Sequence, residues 1–443
     1  MSLTKKSNLI ILIYFFFITV YLYNSFNYDL KFQHDAQLHN YPIFHILNLD
    51  FNKIETPYGL IYYFFVSFFS IFAYPFYKLQ IIEPRESFYL MVRISNFFLY
   101  TLSFLYTYKI SKNLFNKNIF ISILPTILIF SLAPVHRTFL MARPENIMIL
   151  FVLISIYLLI KLLKDKNLNT KNYIILLFSL FLIGSIKLNG FIYVLCFFVF
   201  LLFFYEKNIQ IFKISLLVFV SIYLYYYIHS HISLLSVYDR PYNINEGIEL
   251  GTSGLFNLGK DLSIFLNFSF LEAWQNTFRY SQSDSMINTL LLDLYGDYYG
   301  YGIFNYLKDD GSFTHELKFC LIGLNRVSLF LSTIFFTLFI LTFLYLLINI
   351  RNVLKNKNIL IFFFGIFLAG IFVLILLTIN EYAGDINSTY KWEYISFSLI
   401  AIVYPITYYL NKIFILFNNN KILHLALILF IFVSQYQMMP FRC

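Results

Sequence analysis

About eleven runs of mostly apolar residues, separated by short polar stretches, succeed one another along this 443-residue chain. They fall at about 8–26, 86–108, 118–135, 145–163, 172–186, 188–205, 211–230, 328–349, 358–379, 394–410 and 422–437. A hydrocarbon core about 30 Å thick is crossed by roughly 20 helical residues, and most of these runs approach that length. Inside lipid the backbone must satisfy its own hydrogen bonds, which a run of this kind does as a helix. Composition points the same way. With 59% hydrophobic and 12% charged residues and a mean hydropathy of +0.70, the soluble globular classes are excluded. The expected fold class is an all-α polytopic membrane protein.

Basic residues orient the runs. Short loops rich in lysine lie at 109–117, 161–171, 206–213, 351–357 and 411–421, and Lys5 and Lys6 precede the first run. All of them share one side, the cytoplasm, if every run crosses and the further apolar stretch from Tyr58 to Tyr77 does not. That stretch follows Pro57 and holds Gly59 and Pro75, so it reads as a re-entrant or interfacial segment. The expectation is about eleven transmembrane helices, with the N-terminus cytoplasmic and the C-terminus outside. The first run lacks a small-residue cleavage site and reads as a retained anchor. The net charge of +9 then reflects topology rather than nucleic-acid binding. Cys196, Cys320 and Cys443 have no paired spacing, which argues against a disulfide framework or zinc site.

This topology gathers the unusual polar residues on the outer face, in segments 27–85, 136–145, 187–190, 231–327 and 380–393. It divides the chain into an N-terminal transmembrane module (1–230), a long outer loop (231–327) and C-terminal helices (328–443). The loop is too long for a structureless connection and should fold on itself or over a site.

The first outer segment reads His34-Asp35-Ala36-Gln37-Leu38-His39, then Asp50, then Glu55-Thr56-Pro57-Tyr58-Gly59-Leu60. If helical, Asp35 and His39 share a face. A carboxylate beside two imidazoles suits a general base working at a membrane surface; the plainer reading is a hydrated loop with a helix-capping Asp. Further along stand Arg93-Ile94-Ser95-Asn96, Ala142-Arg143-Pro144-Glu145-Asn146, Lys187-Leu188-Asn189-Gly190 and Ala383-Gly384-Asp385 before Tyr390-Lys391.

In this order the motifs resemble the GT-C superfamily of membrane glycosyltransferases, with the first loop closest to the dolichyl-phosphate-glucose α-1,2-glucosyltransferase. The protein O-mannosyltransferase and aminoarabinose-transferase group shares the plan. The chain departs from the glucosyltransferase pattern in lacking its fuller late Asp-Asn-Arg-His-Tyr-like signature, which leaves the donor sugar open. The resemblance implies an inverting transfer of sugar from a polyprenyl-phosphate carrier to a glycan, lipid or protein acceptor on the outer face of a plasma membrane, a bacterial inner membrane above all.

Such a reaction needs a base for the acceptor hydroxyl and cations for the departing phosphate. Asp35 is the candidate base, with Glu145 as a second catalytic carboxylate. His34 and His39 would orient the acceptor. Lys187, Arg143 and Lys391 are the candidate phosphate binders. Asp297 and Tyr298, in the Asp- and Tyr-rich stretch 293–302, would contact acceptor sugar or form a surface turn. Each cation has a structural alternative: Lys187 as a snorkelling side chain, Arg143 as a partner of Glu145, Lys391 as a partner of Asp385 or Glu381. Glu145 also suits the first turn of a helix after Pro144, and Arg93 suits a pairing with Glu83 or Glu86. No cofactor is expected. A divalent metal between Asp35 and Glu145 is conceivable from their oxygen ligands but is disfavoured, because a single donor phosphate demands little from a metal. The competing classes are an O-antigen polymerase or ligase, a secondary transporter, against which the one-sided polar residues argue, and a non-catalytic scaffold.

Overall fold

The computed structural model describes residues 3–27, 43, 45–49, 60–70, 74–79, 84–115, 119–165, 169–205, 208–232, 267–275, 285–295, 319–356, 358–381, 395–417 and 420–438. Among them every regular element is helical. We number the helices α1 (Leu3–Asn27), α2 (Leu60–Ser70), α3 (Tyr74–Lys78), α4 (Pro84–Leu114), α5 (Ile119–Phe130), α6 (Ala133–Leu140), α7 (Glu145–Asp165), α8 (Thr170–Ile186) and α9 (Leu188–Phe204). There follow α10 (Asn208–Ile232), α11 (Phe270–Gln275), α12 (Met286–Tyr295), α13 (Phe319–Ile348), α14 (Ile350–Asn356), α15 (Asn358–Glu381), α16 (Ser396–Phe417) and α17 (Asn420–Met438).

Each of the eleven apolar runs is helical along most or all of its length. Six helices among the described residues are long and apolar enough to cross a membrane, or seven if the bent pair α5–α6 forms one span. Outward-facing surfaces are apolar as lipid requires: on α10, Phe212, Leu216, Leu217 and Tyr223 are exposed, and on α13, Phe330, Ile340, Leu344 and Leu347. The protein is therefore a multi-pass membrane protein, all-α among the described residues. Among its described residues, the stretch from Tyr58 to Tyr77 forms α2 and α3. As described, α2 covers 11 residues, roughly 16 Å of helix, and it packs along α4 and α8.

The centre of the bundle is α7, the most buried of the candidate spans. It lies between α4 and α8, while α9 joins α8 to α15 and α15 packs on α16. The α15–α16 crossing is close because Gly370 faces Ser398: a Cβ at position 370 would run into the Ser398 side chain. Ser398 Oγ in turn donates to the Ile366 carbonyl at 3.1 Å. Small residues at a helix crossing are what let backbones approach within a membrane.

One expected span is not continuous. Residues 118–135 were expected to form a single helix, but α5 ends at Phe130 and α6 sets off at 63° to it. Pro134 explains the break, since it has no N–H to donate to the Phe130 carbonyl one turn earlier. That carbonyl instead accepts from Gln435 Nε2 of α17 at 3.3 Å. The bend turns α6 across one end of the bundle, with all of its residues buried.

Candidate functional site

Three of the polar motifs meet where α6 passes into α7. The turn at 141–144 is held from α4: Asn96 Nδ2 donates to the Met141 carbonyl at 2.8 Å. Asn146, in the first turn of α7, donates to Asn96 Oδ1 at 2.5 Å, and its own Oδ1 accepts from the Ile147 amide. Asn96 is thus satisfied as donor and acceptor, and two motifs nearly 50 residues apart are clamped together. Asn96, Asn146 and Arg143 are all buried.

Glu145 is the first residue of α7, where a carboxylate favours the positive end of the helix dipole. Its Oε1 accepts from Lys187 Nζ at 2.5 Å. Lys187 sits at the junction of α8 and α9 with extended backbone, and the turn that presents it is very tight. Gly190 N donates to the Lys187 carbonyl at 2.9 Å, and a Cβ at Gly190 would collide with the backbone carbonyl of Ile183. The turn therefore requires glycine there. Lys187 keeps 15% side-chain exposure against 1% for Glu145, so the ammonium is the accessible member of the pair. The Arg143 charge also acts on Glu145. The second oxygen, Oε2, is buried and has no hydrogen-bond partner among the described residues.

A second ion pair lies on the neighbouring helix. Arg137 of α6 donates from Nη2 to Asp293 Oδ1 of α12 at 2.7 Å and to the Asp293 carbonyl at 3.3 Å. Beside it, the Asn24 side-chain nitrogen of α1 is 2.8 Å from His136 Nε2. Tyr21 donates to the Phe139 carbonyl at 3.2 Å. The short helix α6 is thus tied to α1, to α12 and, through the bend, to α17. At α12 it meets the 231–327 stretch, whose residues 288–295 are buried against α6, α13 and α17. Ser328 of α13 donates to the Tyr295 carbonyl at 3.1 Å and completes that attachment.

Of the residues expected to carry chemistry, the structure brings together Glu145, Lys187 and Arg143. Asp35, His34, His39, Asp297, Tyr298 and Lys391 lie outside the described residues. Lys187 was expected to find its counter-charge in a lipid-linked phosphate; the fold supplies Glu145. Asp293, within the stretch expected near the acceptor, is engaged by Arg137. The Arg137–Asp293 pair and the Asn24–His136 contact were not anticipated. The available signal was a charge next to membrane-length apolar runs, since an ionisable group there usually has a partner. Among the described residues no three His, Cys, Asp or Glu side chains gather as metal ligands.

The arrangement suits an anion. A partly exposed ammonium is held in place by a buried carboxylate, with a guanidinium alongside, at the end of a membrane bundle. No protein-family model matches the chain, and no curated protein or solved structure matches it either.

Proposed function

We propose that the chain is a GT-C-type glycosyltransferase that moves a sugar from a polyprenyl-phosphate carrier to a hydroxyl acceptor at the α6–α7 end of the bundle. The observation that carries this reading is the convergence of Asn96, Arg143, Glu145 and Lys187, drawn from three motifs of the resemblance, into one braced cluster. Lys187 binds the donor phosphate as a point charge, Glu145 holds it in position, and Arg143 adds positive potential. Lys391 would contribute from the last outer segment.

Asp35 acts as base. It takes the proton of the acceptor hydroxyl as that oxygen attacks the anomeric carbon, while the bond from that carbon to the phosphate oxygen breaks on the opposite face. The polyprenyl phosphate leaves with the bonding pair, stabilised by the cations. His34, His39, Asp297 and Tyr298 would position the acceptor. The finer topology belongs to the same proposal: eleven crossings, N-terminus cytoplasmic, and the cluster on the outer side of a bacterial inner membrane.

The test is transfer in proteoliposomes supplied with polyprenyl-phosphate sugars and candidate acceptors, reading release of polyprenyl phosphate and the anomeric configuration of the product. Inverted product that disappears with Asp35→Asn supports the reading. Retained configuration, or full activity in Asp35→Asn, removes it.

A further inference from the structure

At the opposite end of α7, a cavity of about 230 Å³ opens between the ends of α4, α7 and α15, with Tyr408 of α16 also on its wall. The length of α7 places it roughly 28 Å from Glu145 along the axis, so it is no part of the cluster above. Its walls are of two kinds. Ile160, Leu163, Phe115 and Leu360 make an apolar lining, and Lys164, Asn113 and Asn358 bring polar groups to it. Lys164 and Asn358 stand at the ends of candidate spans, whereas Ile160 lies about one turn further in. A pocket that is polar at the membrane edge and apolar within has the profile of an amphiphile.

Charge decides which amphiphile. Lys164 Nζ donates to the Asn113 carbonyl at 2.6 Å, which occupies one of its three donors. Three more lysines stand at this end, each over a tyrosine ring: Lys109 over Tyr106 at 4.9 Å, Lys161 over Tyr157 at 5.0 Å and Lys412 over Tyr408 at 5.7 Å. The carboxylate among the described residues here is Asp165, and it makes no ion pair with Lys164. The first turn of α15, whose amides have no partner within the helix, also borders the space. Size narrows the choice further. At 230 Å³ the cavity is below the roughly 300–1,000 Å³ of sites that enclose a whole small molecule. It admits a headgroup and the first methylenes, with the remaining chain left in the bilayer.

We propose that this cavity binds an anionic phospholipid of the adjoining leaflet, its phosphate on Lys164 and the start of an acyl chain against Ile160 and Leu163. The site is independent of the transfer reaction and stands or falls separately from it.

Native mass spectrometry of the full chain, offered equal amounts of phosphatidylglycerol and phosphatidylcholine, tests it. The wild-type protein should retain phosphatidylglycerol in preference. Lys164→Ala, a change at an exposed side chain, should lower that retention about five-fold, as expected for one lysine at an anionic surface. Ile160→Trp should lower it with Lys164 intact, and Leu217→Trp on the outer face of α10 should not. Equal retention of the two lipids, or a Lys164→Ala protein indistinguishable from wild type, overturns the proposal. Displacement of the lipid by millimolar inorganic phosphate also overturns it, in favour of a soluble phosphate site.

Discussion

Arg137 and Asp293 form a buried ion pair at 2.7 Å, with side chains 8% and 0% exposed, between helices whose partners are 156 residues apart in the chain. The pair fastens α12, which lies within the 231–327 stretch, onto the short helix that leads into Glu145.

Removing one partner of a buried pair takes the counter-charge from the other, which costs about 3–5 kcal/mol. Asp293→Ala should therefore lower the thermal midpoint in detergent markedly. Arg137→Met combined with Asp293→Leu, which removes both charges, should recover most of it. A double variant as unstable as Asp293→Ala would show that shape, rather than charge, is what the pair supplies.

Glycines 190 and 184 make a matched comparison. A Cβ at 190 meets the Ile183 backbone carbonyl, whereas one at 184 meets the flexible end of the Ile222 side chain. Gly190→Ala should lose about 1–3 kcal/mol, the usual range for overpacking, and Gly184→Ala less. Thermal melting of the two variants, side by side, checks the order.

If the proposed reaction is correct, Lys187→Met should reduce transfer by about 10²–10³, the range for loss of one stabilising charge or donor at a reacting anion. Much of the loss should come as weaker donor binding. Glu145→Gln, which frees Lys187 from its carboxylate, should cost less at saturating donor. Steady-state kinetics over a range of polyprenyl-phosphate sugar concentrations separates the two effects.

Topology is open to labelling. In an active background lacking Cys196, Cys320 and Cys443, Lys112→Cys and Asn169→Cys should react with a membrane-impermeant maleimide only from the cytoplasmic side. Leu271→Cys, on α11, should react only from the outside. Labelling of residue 112 from the outside and residue 271 from the cytoplasmic side would mean that the stretch 58–77 crosses after all.

Positions of the helices were readable because burial in lipid demands long apolar runs, and the ends of α8 and α9 fall within a residue or two of the expected ones. The break at 131–132 was missed although its cause was visible. Pro134 lies near the end of a span, where hydropathy alone runs straight through it. Glu145, Arg143 and Lys187 could be singled out because charges beside membrane runs are few. Their mutual pairing could not be read, since it depends on how α8 and α9 fold back beside α7. The tie from Arg137 to Asp293 was less legible still. Both residues lay in segments expected on the same face, yet a contact across 156 residues leaves no periodic trace.

That separation also sets a timetable. At about 5–20 residues per second of synthesis, roughly 8–30 s pass between the appearance of Arg137 and that of Asp293. During this interval α6 carries a cation that its final neighbour cannot yet neutralise. The emergence of α12, well after α6 has been made, is then what lets this ion pair form.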